Sequence, residues 1–179
     1  ALLLLESGKD LNGEVTVPTA MTQEFKDIQN ANGMTAGLRI GETVRRIDLL
    51  YALLVSSAND AASVIAYDVG GSVLDFVRQM NARAAELGMN DTVFKNCNGL
   101  DEDGHITSAY DVAVMSRALM QHEKIFDYTL IWIDYVRDGQ TQLVNTNKLV
   151  RTYDGILGLK TGTTSAAGSC ISAAAERNG

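Results

Sequence analysis

The sequence has 179 residues, 46% of them hydrophobic and 21% charged, which suits a single globular domain spanning residues 1–179 and argues against a disordered chain. Fifteen Lys and Arg stand against 22 Asp and Glu, and the net charge of −7 is spread along the chain, which sets aside a nucleic-acid partner. Cys97 and Cys170 lie far apart with no Cys or His at metal-ligand spacing, so two buried thiols are expected, with neither a zinc site nor a disulfide framework.

Ala1–Leu5 opens an apolar helix without a cap residue, and that helix is expected to finish at Gly8. No basic-then-apolar leader precedes it, so the sequence carries no signal peptide, although a cut chain would have lost one. Val15-Thr16-Val17 reads as a short strand, and a polar loop is expected from there to Gly41. Arg46–Val55 is apolar at nearly every position and predicts a buried helix, far too short to cross a bilayer. Asp60–Val69 predicts a helix of small residues ended by Gly70-Gly71. Ser72, three residues before Asp75, then opens a further helix reaching about Leu87.

Asn96–Gly104, rich in Asn, Asp and Gly, is expected to be irregular. Ser108 and Asp111 start another helix that turns Val112, Met115, Leu119 and Met120 inward. Thr129–Val136 and Thr141–Val144 read as a hairpin around Arg137-Asp138-Gly139-Gln140. Gly155–Thr161 and Ser169–Ala175 read as the last two strands. Helices first and strands last predict an α+β fold, with helices packed on an antiparallel sheet. Both ends read as cut, because the first helix begins uncapped and the last strand runs into Gly179.

Three clusters carry chemistry: Ser57-Ala58-Asn59 between two helices, Asn98-Gly99-Leu100 in the central loop, and Lys160-Thr161-Gly162-Thr163 at a strand end. Taken singly, the first is an ordinary helix cap and the last an ordinary strand exit. Asp101-Glu102-Asp103-Gly104 lacks the distal Glu of a calcium loop and reads as an acidic solvated turn. His105 and His122, the only histidines, sit in no recognisable catalytic setting and are assigned to turns or surface. Met80, Met89, Met115 and Met120 read as core filler.

A Ser-x-Asn motif between helices, followed about a hundred residues later by Lys-Thr-Gly on a strand, resembles the penicillin-recognising serine enzymes. The surroundings Ala36–Glu42, Asp48–Leu54, Ser57–Ala62, Leu87-Gly88-Met89, Asn147-Lys148-Leu149 and Gly158–Thr164 are similar to the serine D-alanyl-D-alanine carboxypeptidases. The resemblance covers essentially the whole chain and implies a β-lactamase/transpeptidase-like fold. No serine here has a lysine three positions later, so the nucleophile motif Ser-x-x-Lys is missing; truncation just before Ala1 is the expected reason. The resemblance implies attack on the carbonyl between two D-alanines of a peptidoglycan stem peptide, and β-lactam binding by the intact enzyme. Ser57 would relay a proton to the departing amine, and the Asn59 amide would hold the missing lysine and the substrate backbone. Lys160 and Thr161 would bind the terminal carboxylate, Gly162 would admit substrate close to the strand, and the Thr163 N–H would form half of an oxyanion hole.

No cofactor and no metal is implied. The substrate implies an extracytoplasmic location, and missing pieces at both ends would expose sheet edges and favour self-association. A class A β-lactamase shares the motif order, but it would carry Asp where Ala58 stands and a deacylating Glu that is not found here. A non-catalytic muropeptide-binding module is the third reading, and for a chain without a nucleophile it is nearly forced.

Overall fold

A computed structural model describes residues 1–178. The chain begins with α1 (Leu2–Glu6), β1 (Glu14–Thr16) and α2 (Met21–Asn30), then β2 (Thr43–Arg45), α3 (Arg46–Val55), α4 (Asn59–Gly70) and α5 (Val73–Glu86). After an irregular stretch come α6 (Ala109–Met120), a 3₁₀ turn at Glu123–Ile125, α7 (Phe126–Thr129), β3 (Ile133–Val136) and β4 (Thr141–Val144). Helix α8 (Leu149–Thr152) precedes β5 (Ile156–Thr164) and β6 (Gly168–Ala175).

The centre of the molecule is α3 packed on α4. Leu49, Leu50, Val55, Ala61, Val64 and Ile65 are all at most 2% exposed, and every residue from Asn59 to Ala66 is buried. A helix this apolar has no face to give to water, which is why its sequence shows no amphipathic period. Small side chains on α4 let α3 approach closely, and each fully buried Leu contributes about 2 kcal/mol to the core. Asp60 replaces the missing cap at the start of α4. Its carboxylate accepts from the N–H groups of Ala36 (2.9 Å), Leu38 (3.0 Å) and Ala61 (2.9 Å), pinning the 36–38 segment to the helix start. The half-buried Asp68 side chain of the same helix takes two bonds from Arg46 and one from Lys9.

Several expectations hold in detail. Arg46–Val55 is helical over the bounds expected, Ser72 accepts from the Asp75 N–H at 3.0 Å, and Ser108 accepts from the Asp111 N–H at 3.2 Å. Others need correction. The polar loop expected before Gly41 contains α2, whose Met21, Phe25 and Ile28 recur at helical spacing and bury one face within an otherwise polar run. Thr129 closes a helical turn and does not open a strand; the hairpin starts at Ile133. Val112, Met115, Leu119 and Met120 are only partly buried, and the one fully buried residue of α6 is Asp111. Its carboxylate accepts from the Asp91 N–H (2.9 Å) and the Thr92 hydroxyl (2.7 Å). Cys170 is exposed on β6, against the expectation of a buried thiol, because nothing among the described residues covers that part of the strand.

Among the described residues the antiparallel strands form three two-stranded ribbons, β1–β2, β3–β4 and β5–β6. The first two pair over only three and four residues. The β5–β6 ribbon is longer and carries a bulge. Ile156 pairs with Ala175 and Gly158 with Ala174, so Leu157 is one residue more than the partner strand supplies. The bulge is fastened to α7, where the Thr129 hydroxyl donates to the Leu157 carbonyl at 2.8 Å. Gly158 has φ +93°, and a Cβ there would sit 2.6 Å from the Thr129 carbonyl oxygen, so only glycine fits this approach. No helix among the described residues is long and apolar enough to cross a membrane.

Candidate active site

The turn between α3 and α4 presents Ser57. The Ser56 hydroxyl and the Ala58 N–H both bond the Ala52 carbonyl at 3.0 Å, and the Thr146 N–H bonds the Val55 carbonyl at 3.1 Å. These contacts hold Ser57 at φ +62°, a left-handed conformation that costs a non-glycine residue roughly 1–2 kcal/mol. The strained turn aims the Ser57 hydroxyl at β5. Lys160 Nζ donates to Ser57 Oγ at 2.8 Å across 103 residues of sequence, and also to the Thr161 carbonyl at 2.6 Å. Burial without a carboxylate partner pushes the Lys160 ammonium down to about 8.

Along β5, alternation puts Lys160 and Gly162 on one face and Thr161 and Thr163 on the other. A Cβ built at Gly162 would meet no atom within 4 Å, so the face bearing Lys160 stays clear beside it. The Thr161 hydroxyl bonds the Thr146 hydroxyl, and Thr163 is exposed. Thr146 is fixed by Asn145, whose buried amide donates to the carbonyls of Thr129 (3.2 Å) and Ile131 (2.7 Å) and accepts from the Asn147 N–H (2.8 Å).

Asn59 is 8% exposed, and its side chain lies between two backbone segments. With its amide oriented as its neighbours require, Nδ2 donates to the Asn98 carbonyl at 3.2 Å and Oδ1 accepts from the Met34 N–H at 3.1 Å. The Asn59 N–H bonds the Met34 carbonyl at 2.8 Å, so the second motif is clamped to the 33–34 turn on one side and to the central loop on the other. All three clusters are thereby joined: Lys160 touches Ser57, and Asn59 touches Asn98.

The sequence gives no signal for Glu24, Asn145 and Thr146, and presents Asp101 only as part of a solvated turn. Glu24 lies on the missed helix α2 and accepts from the Ser63 hydroxyl (2.8 Å) and the Asn98 amide (3.4 Å). Asp101 accepts from the Ala166 N–H at 3.1 Å, although the acidic run around it is otherwise exposed. His105 has a structural place: its Nδ1 accepts from the Lys95 N–H at 3.2 Å, and burial lowers its pKa. Among the described residues no group of three or more His, Cys, Asp or Glu is arranged to hold a metal. Concavities of about 420 and 460 Å³ lie away from Ser57 and Lys160, the first between α6 and β6 and the second beside α1.

A family model described as D-alanyl-D-alanine carboxypeptidase matches residues 1–179. The chain belongs to the D-alanyl-D-alanine carboxypeptidase family. It is 41% identical over 143 residues to the D-alanyl-D-alanine carboxypeptidase DacF of Bacillus subtilis, an alignment that takes in 78% of this chain and 37% of that protein. Against DacD of Escherichia coli it is 38% identical over 138 residues, 77% of this chain and 36% of that one. The chain thus spans about a third of the length of these curated relatives. The solved DD-transpeptidase of Streptomyces K15 superposes with TM-score 0.87 at 26% identity, covering 99% of this chain and 72% of its own. The crystal structure of a D-alanyl-D-alanine carboxypeptidase from Mycobacterium tuberculosis superposes with TM-score 0.85 at 32% identity, covering 99% and 67%. The fold is accordingly that of the penicillin-binding and DD-transpeptidase proteins, α+β with helices beside antiparallel strands.

Proposed function

We propose that residues 1–179 are the substrate-recognising part of a serine-type D-Ala-D-Ala carboxypeptidase that removes the terminal D-alanine from peptidoglycan stem peptides through an acyl-enzyme. The observation that carries this reading is the 2.8 Å bond between Lys160 and Ser57, which joins the second and third motifs at one point. A lysine near pKa 8 is mostly cationic at neutral pH and still close to giving up its proton. It can therefore attract a free C-terminal carboxylate and exchange a proton with the Ser57 hydroxyl, the relay a departing amine requires. The open side of Gly162 admits the peptide and the Thr163 N–H serves the oxyanion, while the Thr161 hydroxyl, which bonds Thr146 on the other face of the strand, reaches the carboxylate only by giving up that partner. Asn59 contributes by holding the wall of the site through Met34 and Asn98.

Acylation needs a nucleophile, and none of the serines in residues 1–179 is followed three positions later by a lysine. For these residues alone, that absence favours binding of muropeptides without turnover. The natural protein that contains them is expected to release D-alanine from diacetyl-L-Lys-D-Ala-D-Ala and to be labelled by a fluorescent penicillin. Residues 1–179 by themselves are expected to take no label. Labelling of the isolated residues, or a natural protein that hydrolyses nitrocefin rapidly and leaves the peptide untouched, would overturn the reading. The substrate places the working protein outside the cytoplasmic membrane.

Self-association of residues 1–179 is part of the same proposal. Among the described residues strand β6 pairs with β5 alone, and Ile171 on it is 53% exposed, which leaves an apolar edge able to pair with another chain. Sedimentation velocity is expected to show mass rising with concentration; a constant monomer mass at the highest concentration reached would remove this part.

A further inference from the structure

The central loop links two motifs that are far apart in sequence. Asn96–Asp101 is a short strap knitted by its own groups. The Asn96 side chain accepts from the Gly99 N–H at 2.8 Å and donates to the Leu100 carbonyl at 2.9 Å, and the Asn98 side chain accepts from the Leu100 N–H at 3.2 Å. One part of the strap is fixed to the helices: the Asn98 carbonyl takes the Asn59 amide at 3.2 Å, and the Asn98 amide reaches Glu24 on α2 at 3.4 Å. Its far end reaches the tip of the β5–β6 ribbon, where Asp101 Oδ2 accepts from the Ala166 N–H at 3.1 Å.

The tip is a compact turn, with the Ala167 N–H closed onto Thr164 Oγ1 at 3.0 Å, so fixing Ala166 also fixes Thr164 and its neighbour Thr163. The Thr164 hydroxyl, then the Ala166 and Ser165 N–H groups, hold the Asp101 carboxyl below the usual carboxylate range, as expected for an acceptor facing several donors. Among the described residues, no other side chain outside the ribbon hydrogen-bonds to residues 163–169. Without Asp101 the side-chain bonds from other elements to the ribbon would all lie below its tip, from Thr129 at the bulge, Ser57 at Lys160, Thr146 at Thr161 and Ser116 at Ser172, and would leave the tip free to sway.

We propose that Asp101 is a positioning residue: it holds the strap and the ribbon tip at the separation at which the wall built on Asn59 and the Thr163 N–H face the same substrate. The substrate in this inference rests on the carboxypeptidase reading; the tether itself does not. Displacing a reacting partner by about 1 Å can cost up to roughly a hundredfold in rate, so a tether remote from the chemistry is able to govern it.

The test compares Asp101→Ala and Asp101→Asn in the natural protein that contains these residues, by hydrogen exchange of peptides covering residues 163–169 and by D-alanine release. Asp101→Ala is expected to speed exchange at the tip several-fold without changing peptides from α4, and to lower kcat on the order of tenfold with a smaller change in KM. Asp101→Asn keeps an oxygen that accepts from the Ala166 N–H and is expected to restore most of both. Unchanged exchange at the tip in Asp101→Ala overturns the tether, and a loosened tip with unchanged kcat overturns the positioning role. If the unaltered protein releases no D-alanine, it is the carboxypeptidase reading that fails. The affinity of a labelled acyl-D-Ala-D-Ala peptide then takes the place of kcat, and an affinity that Asp101→Ala leaves unchanged overturns the inference.

Discussion

Replacing Lys160 with methionine is expected to lower D-alanine release by the natural protein a hundredfold or more while making the fold more stable at neutral pH. The loss follows from removing the cation proposed to meet the substrate carboxylate and the donor that bonds Ser57 at 2.8 Å; single groups of this kind carry about 3 kcal/mol of transition-state stabilisation. The gain follows from linkage. Burial lowers the Lys160 pKa from 10.5 to about 8, so below pH 8 the folded chain holds a charge that the unfolded chain holds more comfortably. The unfolded state binds more protons between about 8 and 10.5, and stability rises with pH through that window. The methionine variant escapes the penalty, which is on the order of 2 kcal/mol after allowing for partial exposure of the lysine. Its advantage in urea midpoint should be greatest below pH 8 and fade towards pH 10.5. An advantage that grows with pH, or a variant that keeps its activity, contradicts the assignment.

The largest structural loss is expected at Asn145. Its side chain is 3% exposed and makes three bonds to backbone groups, and Asn145→Ala leaves the carbonyls of Thr129 and Ile131 and the N–H of Asn147 short of partners in a dry site. Orphaned buried groups cost about 1–3 kcal/mol each before relaxation, and a total of roughly 2–4 kcal/mol is expected from urea unfolding at neutral pH. Thr146→Ala, which removes only the hydroxyl that touches Thr161, is the control and should cost well under 1 kcal/mol. Equal losses for the two variants would mean that Asn145 does no more than its neighbour.

What could be read from the sequence, and what could not, divides by the range of the forces involved. Helix α3 was readable to the residue because its run is apolar at nearly every position and its ends are set locally. Helix α2 was hidden because its three inward residues are diluted among seven others, most of them polar. The Ser57–Lys160 contact could not come from spacing, since 103 residues separate the pair; the resemblance supplied it, and the geometry then gave it a distance. Asp101 read as a solvated turn because its neighbours are exposed and its acceptor role is met 65 residues away. Cys170 is the reverse case: the lack of a metal partner or a second cysteine nearby suggests a buried thiol, and the side chain is exposed on β6.

The one-residue bulge at Leu157 decides which functional groups this ribbon offers. Successive residues of a strand look in opposite directions, so if loss of that extra residue drew the later ones a single position along β6, every later side chain would pass to the other side. The ammonium at 160 and the bare position at 162 would turn away from the serine at 57, and leucine 159 with the threonines at 161 and 163 would face it instead. Specificity for an anionic end group therefore depends on an odd or even count, and deletion of a single residue remote from the reacting atoms erases it if the later residues re-pair one position along their partner strand.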